Sequence, residues 1–246
     1  MLRLVLLLIC FTSATAFAQG GPPLVTDDPG TPGDGKWEIN TALQYQISPL
    51  TTVSETPILD ANYGWGDFIQ LNFVAGLNNT LDRVAGSTAK GFGAVSTAMK
   101  WRYFENASGL ALSMYPRIDF HTPLTSKNED VVDPGTRYFL PLELSQEIGK
   151  FGINPEIGYA YSTREPAEWD FGLATSYEFE KDREALFEIH YRRQVGFSRP
   201  EAIYNFGARY AFREWVSAIG AIGHSFSTFA NEPPFWLVYL GAQFRF

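Results

Sequence analysis

The stretch Phe235-Trp236-Leu237-Val238-Tyr239-Leu240-Gly241-Ala242-Gln243-Phe244-Arg245-Phe246 ends the sequence and decides how the rest is read. One parity carries Trp236, Val238, Leu240, Ala242, Phe244 and Phe246. The other carries Leu237, Tyr239, Gly241, Gln243 and Arg245. Side chains alternate faces along a strand, so one face here is apolar and the other more polar. The same alternation runs through Glu201–Phe212, where Ala202, Tyr204, Phe206, Ala208, Tyr210 and Phe212 oppose Glu201, Asn205, Gly207 and Arg209. It recurs in Glu184–Val195, where Ala185, Phe187, Ile189 and Tyr191 oppose Glu184, Glu188, His190, Arg192 and Gln194.

Working outward, twelve such segments are marked, near 36–47, 54–63, 67–77, 92–104, 109–121, 138–148, 151–162, 168–179, 184–196, 201–212, 215–226 and 235–246. Most exceed the roughly 5–6 residues of an ordinary soluble strand. They suit a tilted strand crossing a bilayer, which needs about 9–11. Long connections (48–53, 78–91, 121–137, 163–167, 196–200, 227–234) alternate with short ones (64–66, 105–108, 149–150, 180–183, 213–214). Short turns at one end and long loops at the other are the pattern of an outer-membrane barrel, with the short turns in the periplasm. The expected fold is all-β: a transmembrane antiparallel up-and-down β-barrel of about 12 strands.

Tryptophan positions give a second line of argument. Trp37, Trp65, Trp101 and Trp215 fall at expected periplasmic strand ends, and Trp169 and Trp236 at outer ends. Amphipathic rings gather at both membrane interfaces, so two girdles are expected. The final Phe246, after its alternating apolar residues, resembles the C-terminal signature that barrel-assembly machinery reads. That machinery is therefore an implied partner in biogenesis.

Bulk composition conceals this. The 246 residues are 45% hydrophobic, with 19 basic against 27 acidic residues, a net charge of −8 and mean hydropathy of −0.12. These are figures of a soluble acidic protein; alternation averages a lipid-facing half against a polar lumen. The acidic balance argues against nucleic acid, which needs basic groups to neutralise phosphates. A single Cys excludes a disulfide scaffold. With 20 Phe, 12 Tyr and 6 Trp the chain can bury enough area to order itself.

At the N-terminus, Arg3, the apolar run Leu4–Phe11 and Ala16-Phe17-Ala18 read as a secretory signal peptide over 1–18. The run is too short to span as a helix. Residues 19–35, rich in Pro, Gly and Asp, form no regular strand and read as a periplasmic tail or as a hatch tucked into the lumen. The barrel then covers 36–246. Asp27, Asp28 and Asp34 lack the spacing and closing Glu of a calcium loop, so no metal and no cofactor are expected.

The opening Gly21-Pro22-Pro23-Leu24-Val25-Thr26-Asp27-Asp28-Pro29-Gly30-Thr31-Pro32-Gly33, followed by Trp37-Glu38-Ile39-Asn40, resembles that of the "MetA-pathway of phenol degradation" family of bacterial outer-membrane transporters. The specific resemblance covers roughly these 20 residues. It implies location in the bacterial outer membrane, contact with its lipids, and passage of small, hydrophobic or aromatic solutes. It carries over no catalytic motif.

Polar parity places Glu38, Asp60, Lys100, Arg102, Arg117, Asp119, Glu143, Glu147, Glu156, Asp170, Glu178, Glu188, His190, Arg192, Arg209 and Arg245 toward the lumen. An Arg or Lys on the lipid face at mid-bilayer costs about 2–4 kcal/mol, which fixes the register. Two ladders stand out: Arg117, Asp119 and His121, and Glu188, His190 and Arg192. They serve either as a charged pore wall or as a salt-bridge network that stiffens a narrow barrel. Glu188 is expected opposite or diagonal to Arg209. Glu38 and Arg245 are expected to pair across the seam between the first and last strands. No His-x-Ser, G-x-S-x-G, H-E-x-x-H or phosphate loop occurs, so no enzyme is expected. The function expected is passive passage of small solutes. The alternatives are a non-transporting structural or surface-interaction barrel and, behind it, a lipid-modifying membrane enzyme.

Overall fold

The computed structural model describes residues 21–230 and 232–246. The expected signal peptide, 1–18, lies outside the described residues. All regular structure among the described residues is strand. The strands are β1 (Trp37–Ile47), β2 (Thr51–Trp65), β3 (Ile69–Asp82), β4 (Ser87–Phe92), β5 (Val95–Glu105), β6 (Leu110–Met114), β7 (Arg117–Phe120), β8 (Arg137–Ile148), β9 (Phe151–Ser162), β10 (Glu168–Glu180), β11 (Arg183–Gln194), β12 (Glu201–Arg213), β13 (Val216–Ser227) and β14 (Trp236–Arg245). Segments β4 and β5 follow each other along one stave, as do β6 and β7, so the sheet is a closed antiparallel barrel of 12 strands. Each stave pairs with its chain neighbours, and β1 pairs with β14 to close the ring.

Closure is complete at its edge. Trp37 N–H donates to the Phe246 carbonyl at 2.7 Å and Phe246 N–H to the Trp37 carbonyl at 3.0 Å. A closed barrel leaves no strand edge unpaired, which hydrocarbon surroundings demand. The tight ends are made by short turns such as that at Gly149, whose φ of +64° is the left-handed conformation such hairpins need.

The outer surface is apolar. Leu240, Phe206, Leu173, Ile189 and Leu140 are all exposed mid-strand, where a soluble protein would bury them. All six Trp are exposed and lie at strand ends or the turns beside them, Trp101 being the furthest inside its strand. The inner face holds the polar residues, with Asn40, Lys100, Glu143, Asn154, Glu188 and Asn205 almost fully buried.

Two expectations on strand limits are corrected. The link drawn at 78–91 is largely strand, and so is half of the one drawn at 48–53. Strand β2 begins at Thr51, while β3 runs on to Asp82 and hairpins into β4. Beyond the bilayer no lipid enforces alternation, so Asn78-Asn79 and Thr88-Ala89-Lys90-Gly91 pair as strand without a period-two signal. The segment at 109–121 is broken at Tyr115-Pro116, because Pro116 has no N–H to give the ladder. Long connections remain at 121–136 and 228–235. We call that end the loop end and the opposite one, which carries Trp37 and Phe246, the turn end.

Candidate functional site

The lumen is occupied by the chain's own N-terminal segment. At the turn end Gly35 N–H bonds the Gly64 carbonyl at 3.0 Å, and Asp34 accepts the Gly66 N–H at 2.8 Å. Thr31 Oγ1 bonds the Asp67 carbonyl at 3.0 Å. Residues 30–26 then run into the barrel, and the chain doubles back through a tight loop in which Gly21 N–H donates to the Thr26 carbonyl. Residues 22–28 of the segment contact inward-facing side chains of the strands.

Wall carboxylates grip the tip of this loop by its backbone. Glu188 accepts the Val25 N–H at 3.1 Å and the Thr26 N–H at 2.5 Å; Glu156 accepts the Asp27 N–H at 3.2 Å. Lys100 donates to Asp27 at 2.8 Å and to the Asp28 carbonyl, and Glu143 lies 3.7 Å away. Glu143 is itself bonded by Ser113 at 2.5 Å. Leu24 packs on Ala174 and Leu186, and Arg209 bonds the Pro22 carbonyl at 3.1 Å. Ionic and hydrogen-bonding partners are what allow Lys100 and these carboxylates to sit almost without solvent.

Above and below the segment the lumen opens. The turn-end vestibule, about 610 Å³, is lined by Glu38, Glu184, Arg209, Arg245 and the segment's own Thr31 and Pro32. The loop-end vestibule, about 550 Å³, is lined by Arg117, Asp119, Arg137, Glu168 and Arg192 with Val131 and Val132. Between them, against the segment, lies a cavity of about 80 Å³, bordered by Asp27, Asp28, Lys100 and Arg209.

The sequence-derived residues distribute over these layers. Glu38 and Arg245 are paired in register, with Arg245 Nε bonding Glu38 at 3.0 Å. Arg209 bonds Glu184 at 2.8 Å, not Glu188. The register explains this correction: Glu184 lies opposite Arg209, while Glu188 lies opposite Asn205, which donates to it at 2.6 Å. Arg102 reaches the Asp67 carbonyl at 2.6 Å and Glu105 at 3.3 Å near the turn end.

The two ladders do not act as units. Arg117 and Asp119 join the loop-end network, where Asp119 is 3.6 Å from Arg117 and 3.5 Å from Arg137. His121 lies past the end of β7, exposed, 3.0 Å from the Asp133 carbonyl. In the second ladder Glu188 holds the N-terminal segment, His190 sits 2.7 Å from Asp170, and Arg192 bonds Glu201 at 2.6 Å.

Neutral amides were missed. Asn40, Asn62 and Asn72 all donate to Asp60, at 2.9, 3.0 and 2.6 Å, and Gln70 donates to Asn62 at 2.7 Å. All lie on the polar parity, so alternation could have found them; a search for charges alone does not.

Fold, surface and lumen together define a transmembrane β-barrel whose interior is occupied by its own N-terminal segment. No protein-family profile matches the sequence, and no curated protein matches it. Solved structures do. The COG4313 outer membrane channel from Pseudomonas putida F1 superposes with a TM-score of 0.78 at 11% identity, covering 93% of this chain and 100% of that one. The NanC porin gives 0.62 at 11% identity, over 84% and 98%. The CymD monoaromatic hydrocarbon channel gives 0.52 at 9% identity, over 87% and 88%. At these identities the likeness is one of fold.

Proposed function

We propose that the protein is a bacterial outer-membrane channel for small solutes, exported, seated in outer-membrane lipid by way of the barrel-assembly machinery, and closed at rest by residues 21–35. The observation that carries this reading is the pair of vestibules, about 610 and 550 Å³, that face each other across that segment. Strand walls continue past both, so displacement of the segment joins them. The segment is also held in a way that permits release. Its grip is a set of hydrogen bonds, each worth only about 0.5–3 kcal/mol net, with the Lys100–Asp27 ion pair and the packing of Leu24. A mid-lumen wall of Lys, Glu, Asp and Asn suits a small solute with polar groups, including a ring bearing hydroxyl or carboxylate. The reading is non-enzymatic. Its support is that the three fold neighbours named above are channels or porins and that the sequence holds no His-x-Ser motif.

A second reading, a permanently closed barrel with a structural or surface role, is favoured by the buried cluster of Lys100, Asp27 and Glu143. Planar-bilayer conductance separates the two. The full chain is expected to give rare openings and a variant lacking residues 22–33 a steady conductance. A deletion variant that folds, as shown by heat-modifiable mobility, yet conducts nothing would overturn the channel reading.

A further inference from the structure

Three inward donors meet on neighbouring strands. Glu156 on β9 lies opposite Gly172 on β10, and Gly172 lies opposite His190 on β11. Asp170, two residues along β10, shares their face. Oxygen atoms of Glu156 and Asp170 and a ring nitrogen of His190 all lie within 4.8 Å of one another, and all three residues are buried. Gly172, with no side chain, leaves room at the centre of the row, which the Thr26 side chain enters.

Thr26, from the tip of the N-terminal segment, covers that space. It is fully buried and sits where a Cβ on Gly172 would stand. Its Oγ1 has no hydrogen-bond partner. Asp170 Oδ1 is 2.7 Å from His190 Nε2, yet the pair is not aligned as a hydrogen bond and this oxygen is left without one. Unpartnered buried oxygens on both sides of one small space are costly unless something else binds them. Charge points the same way. Glu143, Glu156, Asp170 and Glu188 crowd this level of the lumen with Asp27, and Lys100 forms salt bridges with only two of them, Asp27 and Glu143.

We propose that Glu156, Asp170 and His190 form a site for a divalent transition-metal ion of the zinc class, closed on its open side by Thr26. Two carboxylates and one neutral imidazole suit zinc and its first-row neighbours; calcium and magnesium take oxygen alone. Bonds of about 2.0–2.2 Å put tetrahedral ligands roughly 3.3–3.6 Å apart, a spacing that small side-chain rotations reach from the present one. The fourth position faces Thr26 Oγ1, directly or through water. An ion there offsets the acidic excess and ties the segment's tip to the wall. Sequence reading expected no metal because the three ligands sit on separate strands with no local motif.

The site is tested without reference to transport. The untagged full-length protein, stripped with a chelator, is titrated with Co²⁺ alone. Visible absorption bands of low-coordinate cobalt are expected, saturating at about one equivalent and displaced by Zn²⁺. His190→Gln and Asp170→Asn should each weaken binding at least about ten-fold. His121→Gln and His224→Gln, which alter the chain's other two histidines, should leave it unchanged. Heat-modifiable mobility verifies folding, and Asp170→Asn, a near-isosteric change, stands in if the His190 variant does not fold. No saturable binding by the unmutated protein overturns the proposal. So does binding indifferent to both wall variants, or binding lost with His121 or His224.

Discussion

Glu38 and Arg245 stand directly opposite each other on β1 and β14, and the 3.0 Å bond from Arg245 Nε to Glu38 spans the seam where the first strand meets the last. Each belongs to the turn-end vestibule and keeps partial contact with water. Closure does not depend on the pair, because ten residue pairs from Glu38 to Ile47 align along the same seam. An ion pair this exposed is worth about 0–1 kcal/mol. Glu38→Gln is therefore expected to lower urea stability by no more than about 1 kcal/mol, with the barrel still closed by heat-modifiable mobility. A variant that cannot close would show that the pair, and not the backbone ladder, sets the seam.

Lys100 bears a different load. Removing one partner from a buried charge cluster costs about 3–5 kcal/mol when the structure cannot relax. Here it can: Asp27 rides on the N-terminal segment, and releasing that segment admits water to Glu143. Lys100→Met is expected to undock the segment and leave barrel stability nearly unchanged. Limited proteolysis should cut within residues 21–35 in the variant and not in the parent. Adding Glu143→Gln, which removes the bare carboxylate, should restore part of the protection. A large fall in barrel stability with the segment still protected would contradict this account.

Gly172 allows the same release to be tested without touching any charge. A Cβ there meets the Thr26 side chain head on, and the segment is softer than the wall. Gly172→Ala is expected to displace the tip. In a Cys10→Ser background, Thr26→Cys should react with a thiol reagent at least several-fold faster when Gly172 is Ala. Equal rates would mean that the tip yields without leaving.

On the outer face, depth decides the cost of a charge. Leu240 lies at the middle of β14 and Trp65 at the turn end of β2, and both are strongly exposed. Leu240→Arg should cost about 2–4 kcal/mol in lipid and Trp65→Arg about 0–1. Urea titration of refolding into lipid vesicles measures both. Equal costs at the two sites would be incompatible with a bilayer belt centred on Leu240.

The barrel could be read from sequence because lipid punishes any polar residue on the wrong parity. Trp236 to Phe246 shows the rule most clearly, and the Glu38–Arg245 pairing follows from it once the ring is assumed to close. Register across interior hairpins is a different matter. Parity alone allows Glu188 to meet Asn205, Gly207 or Arg209, and only the geometry of the 195–200 connection between β11 and β12 selects Asn205. The N-terminal segment is harder still. Its Pro and Gly residues leave no periodicity, and its hold on the wall is made through main-chain N–H groups, which every residue but proline possesses. His121 shows the converse failure: its parity is right for the lumen, but Pro116 breaks the stave and Phe120 ends it.

That main-chain grip has an evolutionary consequence. Glu188 and Glu156 bind Val25, Thr26 and Asp27 through N–H groups that any non-proline residue would offer in the same pose. Val25, whose side chain is exposed, can therefore drift among many residue types while the closure persists. Selection at that position falls on a single prohibition, against proline, and a lineage could change what this exposed position presents without rebuilding the latch beneath it.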